Sequence, residues 1–265
     1  MRARRLLITV PPLALLAFAI VAYAQPPSGV VHPPNEASKT PLQLGSELYA
    51  ANCASCHGID GSGVSESNPI HGAGDTEGAG PQLTGTGAQA ADFYLRTGRM
   101  PLAHPGEEPM RSRPDFNDRE IRALTAYVAS LGGGPPIPHP RPNTGDVSRG
   151  MELFTDHCAG CHQIVGEGGY VTDTRVPALR PASPTQIAEA VRIGPYLMPS
   201  FPRSAINGRQ LNSIIAYLQT SKHPSDPGGI GLGHIGPVPE GMVAWLIAAV
   251  VLVGVCMLIG ERAKT

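Results

Sequence analysis

The sequence predicts a mostly α-helical chain. Two small domains stand in tandem, with an apolar signal or anchor segment before them and a transmembrane helix after them. Three observations predict this. One pentapeptide device occurs twice, as CASCH at Cys53–His57 and CAGCH at Cys158–His162. Apolar residues at helical spacing precede each copy and recur at the end of each repeat. Long uncharged runs lie near both ends of the chain.

Residues 1–24 begin with MRARR and continue as the uncharged LLITVPPLALLAFAIVAYA. A basic start, an apolar stretch and small residues before Gln25 read as a secretory signal peptide. The same 19 uncharged residues are long enough to remain as an anchor helix, although Pro11 and Pro12 would kink it. Cleavage and retention both stay open, and both put the two domains on the outer face of the membrane. Residues 25–41, QPPSGVVHPPNEASKTP, form a proline-rich linker.

The first domain is expected over residues 42–131. Its opening, GSELYAANCASCHG, aligns with GMELFTDHCAGCHQ of the second domain, which is expected over 147–221. Leu44, Leu48 and Tyr49 share one helix face, as do Leu153 and Phe154. The closing segments align as well, DREIRALTAYVASL with NGRQLNSIIAYLQTS. Asp118 and Asn207 are the expected N-caps of those helices. Between its two helices each domain is rich in glycine and proline, with little strand signal. So few apolar residues build a small core, and a large apolar cofactor could complete it. Residues 132–146, GGGPPIPHPRPNTGD, read as a stiff linker, and 222–240 as a Gly/Pro neck.

Residues 241–260, GMVAWLIAAVVLVGVCMLIG, are 20 uncharged residues. At about 1.5 Å per residue they span about 30 Å, the thickness of a bilayer's hydrocarbon core. Trp245 suits the outer interface, and Arg262 and Lys264 in the tail 261–265 mark a cytoplasmic end. Cys256, the one cysteine outside the repeats, reads as a small hydrophobe within this run. The net charge of −1 gives no basis for binding nucleic acid. Lys39, Lys222 and Lys264 are the only lysines and do not cluster, so steering of a diffusing partner has no lysine patch to act through.

In C-x-x-C-H on a helix, two thiols three residues apart share a face and the imidazole follows one turn from the first. That spacing suits thioether bonds to the two vinyl groups of a haem, with the histidine aimed at the iron. Zinc would need four ligands, and neither domain offers a second cysteine pair. A redox dithiol would sit in a βαβ pattern, which is absent. The expected cofactors are therefore two covalently bound haem c groups, one on Cys53, Cys56 and His57 and one on Cys158, Cys161 and His162.

For the sixth iron ligand, Met100 in LRTGRMP and Met198 in VRIGPYLMP lie at matching places in the repeat. Histidine/methionine ligation closes the iron and suits electron transfer. Met110, His71 and His104 are alternatives to Met100. An open sixth position would instead point to a peroxidase or a gas sensor. Pro81 and Leu83 in GPQLTG, and Pro177 and Leu179 in VPAL, come after each motif at comparable distance. They resemble the loop of class I cytochromes c in which a proline carbonyl accepts a hydrogen bond from the proximal histidine. The plain alternative is a turn that packs a leucine on the haem.

The whole layout resembles the dihaem cytochrome c subunit (cytochrome cc) of the actinobacterial menaquinol–cytochrome c reductase, the cytochrome bcc complex. The likeness rests on the two CxxCH domains and on RTGRMP, GPYLMPSF and YVASLGGGP. It rests above all on the neck GLGHIGPVPEGMVAW at Gly231–Trp245, which haem chemistry alone does not require. The segment SESNPIHGAGDTEGAG, Ser65–Gly80, departs from the family as an insert. The resemblance implies two tandem class I cytochrome c-like domains. It implies a place beside the cytochrome b subunit and the Rieske iron–sulfur subunit in the plasma membrane. Electrons would pass from the Rieske protein through this chain to an aa3-type cytochrome c oxidase in a supercomplex. The chain would be a subunit of a translocating reductase, with no bond-making site of its own. A membrane-bound dihaem cytochrome serving another dehydrogenase or oxidase is the alternative.

Overall fold

The computed structural model describes residues 29–64, 80–104, 107–171, 174–222 and 237–262. The N-terminal segment 1–24, His71, most of the insert, most of the neck and the end of the tail lie outside the described residues.

The chain enters through an extended strap and a 3₁₀ turn, Glu36–Ser38. Helix α1, Pro41–Asn52, starts on a Thr40/Gln43 capping box with Pro41 in its first turn, where a missing N–H costs nothing. A short helix α2, Ala54–His57, comes next, with Cys53 at the joint. Helix α3 spans Gly87–Arg96, and α4, Asp118–Ser130, closes the first domain. The cap of α4 is Asn117, one residue before the expected Asp118. Its side chain accepts from the Arg119 and Glu120 amides, while Glu120 reaches back to the Asn117 N–H. An Asn-x-x-Glu box satisfies more of the free amides than Asp118 could, so Asp118 becomes the first helical residue.

The second domain repeats the plan. Helix α5 covers Val147–His157 and α6 covers Ala159–His162. An antiparallel hairpin, β1 Gly169–Val171 and β2 Thr174–Val176, was not signalled by the sequence. Helix α7, Pro184–Ile193, starts on a Ser183/Gln186 box. Helix α8, Gly208–Lys222, starts on Asn207, which accepts from the Arg209 and Gln210 amides as expected.

Each domain has its own core. In the first, Leu44, Leu48 and Tyr49 of α1 pack on Ile121, Leu124 and Val128 of α4. In the second, Leu153 and Phe154 of α5 pack on Leu211, Ile214 and Leu218 of α8. The aromatic pairs correspond, Tyr49 with Tyr127 at 5.1 Å and Phe154 with Tyr217 at 5.6 Å between ring centroids. The domains touch along α3 and α7, where Gln89 Nε2 donates to the Glu189 carbonyl at 3.5 Å. The linker ties to both sides. Gln89 donates its amide to Pro135, and the Arg141 amide donates to Asn212 Oδ1.

Helix α9, Pro237–Arg262, contains an apolar stretch, Gly241–Arg262, of mean hydropathy 2.9. Among the described residues this is the one helix long and apolar enough to cross a membrane, and its side chains from Met242 on are exposed. Trp245 is among the most exposed of them.

Candidate haem sites

The sites are built from one local device used twice. Helix α1 ends as the Cys53 amide bonds to the Tyr49 carbonyl, and the chain then restarts as a single turn. Within that turn the amides of Cys56 and His57 both donate to the Cys53 carbonyl. In the second domain Cys158 bonds to Phe154, and Cys161 and His162 bond to Cys158 in the same way. Each turn thereby carries both thiols and one imidazole on a fixed scaffold.

Each imidazole is held from behind. His57 Nδ1 lies 2.8 Å from the Pro81 carbonyl oxygen, and His162 Nδ1 lies 3.2 Å from that of Pro177. A carbonyl only accepts, so Nδ1 donates, and Nε2 is left with a free lone pair for a metal. Burial lowers the pKa of His162, with the Pro177 bond acting in the opposite sense. The prolines lie where the sequence placed them. The leucines two residues on, Leu83 and Leu179, pack against the respective cores.

Each methionine packs against the same core that its domain's CxxCH turn packs against. Met100 joins Cys53, Ala54, Leu83 and Leu131 around the first core. Met198 joins Cys158, Ala159, Leu179 and Phe201 around the second. The turns that deliver them hinge on Gly98 and Gly194, both left-handed with φ of 61° and 64°. The alternatives in the first domain are placed differently. Met110 is half-buried outside that cluster, and His104 is exposed.

These residues fit a haem. Burial pushes the Cys53 thiol up to about 12 and the Cys158 thiol up to about 11, with the neighbouring cysteine adding to each. A redox dithiol needs the opposite shift. Arg99, next to Met100, is buried over the ring of Phe93 at 5.1 Å, and its Nη1 has no hydrogen-bond partner among the described residues. A buried guanidinium N–H without an acceptor is costly, and a haem propionate is the kind of anion that would satisfy it. The sequence carried that signal as a charge directly before the methionine, but only the burial of Arg99 gives it meaning.

A fold of two small helical domains, each with a thiol–thiol–imidazole turn, defines a c-type cytochrome. Comparison with known proteins agrees. The cytochrome c family model matches residues 42–132, and the family described as cytochrome c oxidase, cbb3-type, subunit III matches residues 145–218. The chain is 32% identical to the cytochrome bc1 complex cytochrome c subunit of Corynebacterium diphtheriae, over 94% of this chain and 90% of that protein. It is 35% identical to the subunit of that name from Mycobacterium tuberculosis, over 94% and 89%. A cbb3-type cytochrome c oxidase subunit CcoP of Rhodobacter capsulatus is 32% identical over only 43% of this chain and 36% of its own length. The chain belongs to the family of cytochrome c subunits of the bc1 complex. Its role is that of an electron carrier, and its cytochrome c domains imply covalently bound haem c.

Proposed function

We propose that this chain is the dihaem electron-transfer subunit of a menaquinol–cytochrome c reductase. It takes electrons from the Rieske iron–sulfur protein and delivers them to an aa3-type cytochrome c oxidase in a supercomplex. The observation that carries this is the double site. In each domain the CxxCH turn and the methionine loop meet on one core, and the two domains touch along α3 and α7.

Haem c, when bound, supplies a reversible one-electron iron couple. The protein supplies the rest. Domain 1 over 42–131 and domain 2 over 147–221 each hold one haem. Cys53 and Cys56, and Cys158 and Cys161, tether the two groups. His57 with Met100, and His162 with Met198, would hold the two irons. The Pro81 and Pro177 carbonyls fix the imidazoles, and the leucine and methionine packing excludes water. Met/His ligation raises the potential and leaves no position open for oxygen or peroxide. The apolar α9 holds the domains at the plasma membrane, on the extracytoplasmic face, beside the cytochrome b and Rieske subunits.

The match of the second domain to a cbb3-type oxidase subunit favours a second reading, a cytochrome serving another oxidase or dehydrogenase. It covers less than half of this chain, whereas the bc1 relatives cover nearly all of it. A tag on this chain, used to extract its complex from native membranes in mild detergent, separates the two. Reduced-minus-oxidised spectra with c-, b- and a-type bands together support the reductase–oxidase assignment. Bands of c-type alone after gentle extraction contradict it.

A further inference from the structure

We propose that His32, Glu36 and Glu120 form a divalent-cation site of the zinc class that fastens the entry strap to the helix closing the first domain. The site is separate from the haem turns, and the inference does not rest on the electron-transfer reading.

The starting point is Glu120. Its side chain is fully buried on α4. One carboxylate oxygen accepts from the Asn117 amide at 2.8 Å as part of the helix cap. The other faces His32 Nδ1 at 2.5 Å, and among the described residues His32 is its only ion-pair partner. A buried carboxylate is stable only with a cation beside it. Glu36 brings a second carboxyl into the same space. Burial and the nearby Glu120 carboxyl raise its pKa, while His32 and Arg119 oppose the rise. Two acids and one imidazole, with the ligand atoms all within 4.8 Å of one another, can hold a metal ion.

The geometry needs little adjustment. Zinc bonds of about 2.0–2.1 Å in a tetrahedron put ligand atoms about 3.4 Å apart. The three groups therefore open or close by roughly an ångström, within the reach of side-chain rotation. The backbone behind them is already set. Asn52 clamps Val31, accepting from its amide at 2.7 Å and donating to its carbonyl at 2.9 Å. Arg119 Nη2 donates to the Glu36 carbonyl at 2.7 Å and the Lys39 carbonyl at 3.2 Å. Asn35 sits left-handed at φ 57°, which turns Glu36 into the 3₁₀ turn. A preorganised ligand set loses little entropy on binding.

The donor set selects the ion. One imidazole and two carboxylates suit zinc, with water in the fourth position on the exposed side of His32. Calcium would need six or more oxygens and magnesium an octahedral set with several waters.

The test uses the full haem-loaded chain in detergent, stripped with a chelator and titrated with zinc against a competing chromophoric chelator. His32→Ala and Glu36→Gln are compared with the wild type. Glu120 is left in place because it also caps α4. The expected result is one more zinc bound by the wild type than by either variant, or a site weakened roughly 10–100-fold in them, the scale of losing even an outer partner of a metal site. The haem absorption spectrum should be the same in all three, which shows that the variants fold. Equal zinc binding by wild type and variants, or none by the wild type, overturns the proposal.

Discussion

A Cβ at Gly150 would overlap the carbonyl oxygen of Ser213, and a Cβ at Gly45 would overlap that of Ala123. Ser213 and Ala123 each stand four residues before a tyrosine, Tyr217 and Tyr127. The first and last helices of the two domains therefore cross at the same register, backbone against side-chain-free backbone. Neither carbonyl can swing aside without breaking its helix. Gly45→Ala and Gly150→Ala must push the helices apart, and overpacking of this kind costs about 1–3 kcal/mol. Thermal melts of each variant should fall by about 4–8 °C per kcal/mol lost from the affected domain.

Met100 and Met198 are each expected to bind one iron. Replacing either with histidine exchanges a thioether for a stronger donor and should lower the potential of one haem while leaving the other near its original value. A redox titration followed in the c-type band resolves the two components. An unchanged titration in Met100→His would move the ligand assignment in the first domain to Met110.

Glu189 should make the contact between the domains sensitive to pH. It is fully buried on α7, and neither carboxylate oxygen has a hydrogen-bond partner among the described residues. Burial raises its pKa from 4.5 to about 8, Asp92 adds to the rise, and Arg96 opposes it. Arg96 is itself engaged by Asp92 at 2.8 Å. A raised acid binds its proton more tightly in the folded state. Its stabilising contribution is complete below about pH 4.5 and is lost as pH rises through about 8. Glu189→Gln keeps the neutral shape and removes the titration. The variant should match the wild type in melts near about pH 4–5 and exceed it near about pH 9. A constant difference across that range would show that Glu189 is not the titrating group.

The repeat, the CxxCH turns and the terminal apolar helix were legible because each is written in contiguous residues. CxxCH needs five positions, and the helix faces of Leu44, Leu48 and Tyr49 need six. The capping shift to Asn117 was less legible, since Asn and Asp both cap and only the reach of Glu120 decides between them. The β1–β2 hairpin escaped because three-residue strands carry almost no alternation. The pairing of His32 with Glu120 joins positions 88 residues apart, and Glu189 meets Asp92 across a domain boundary. Neither has a local signature, because only packing brings them together. Arg99 was in plain view beside Met100, but its unpartnered N–H exists only once α3 and its neighbours bury it.

The most direct test of the central claim is the mass of the purified chain after denaturation, read with its pyridine haemochrome spectrum. Thioether bonds survive unfolding and acid extraction, so the chain should retain two haem groups. A variant lacking Cys158 and Cys161 should retain one. A denatured wild-type chain carrying one haem or none would contradict the assignment of a covalent haem to each of the two domains.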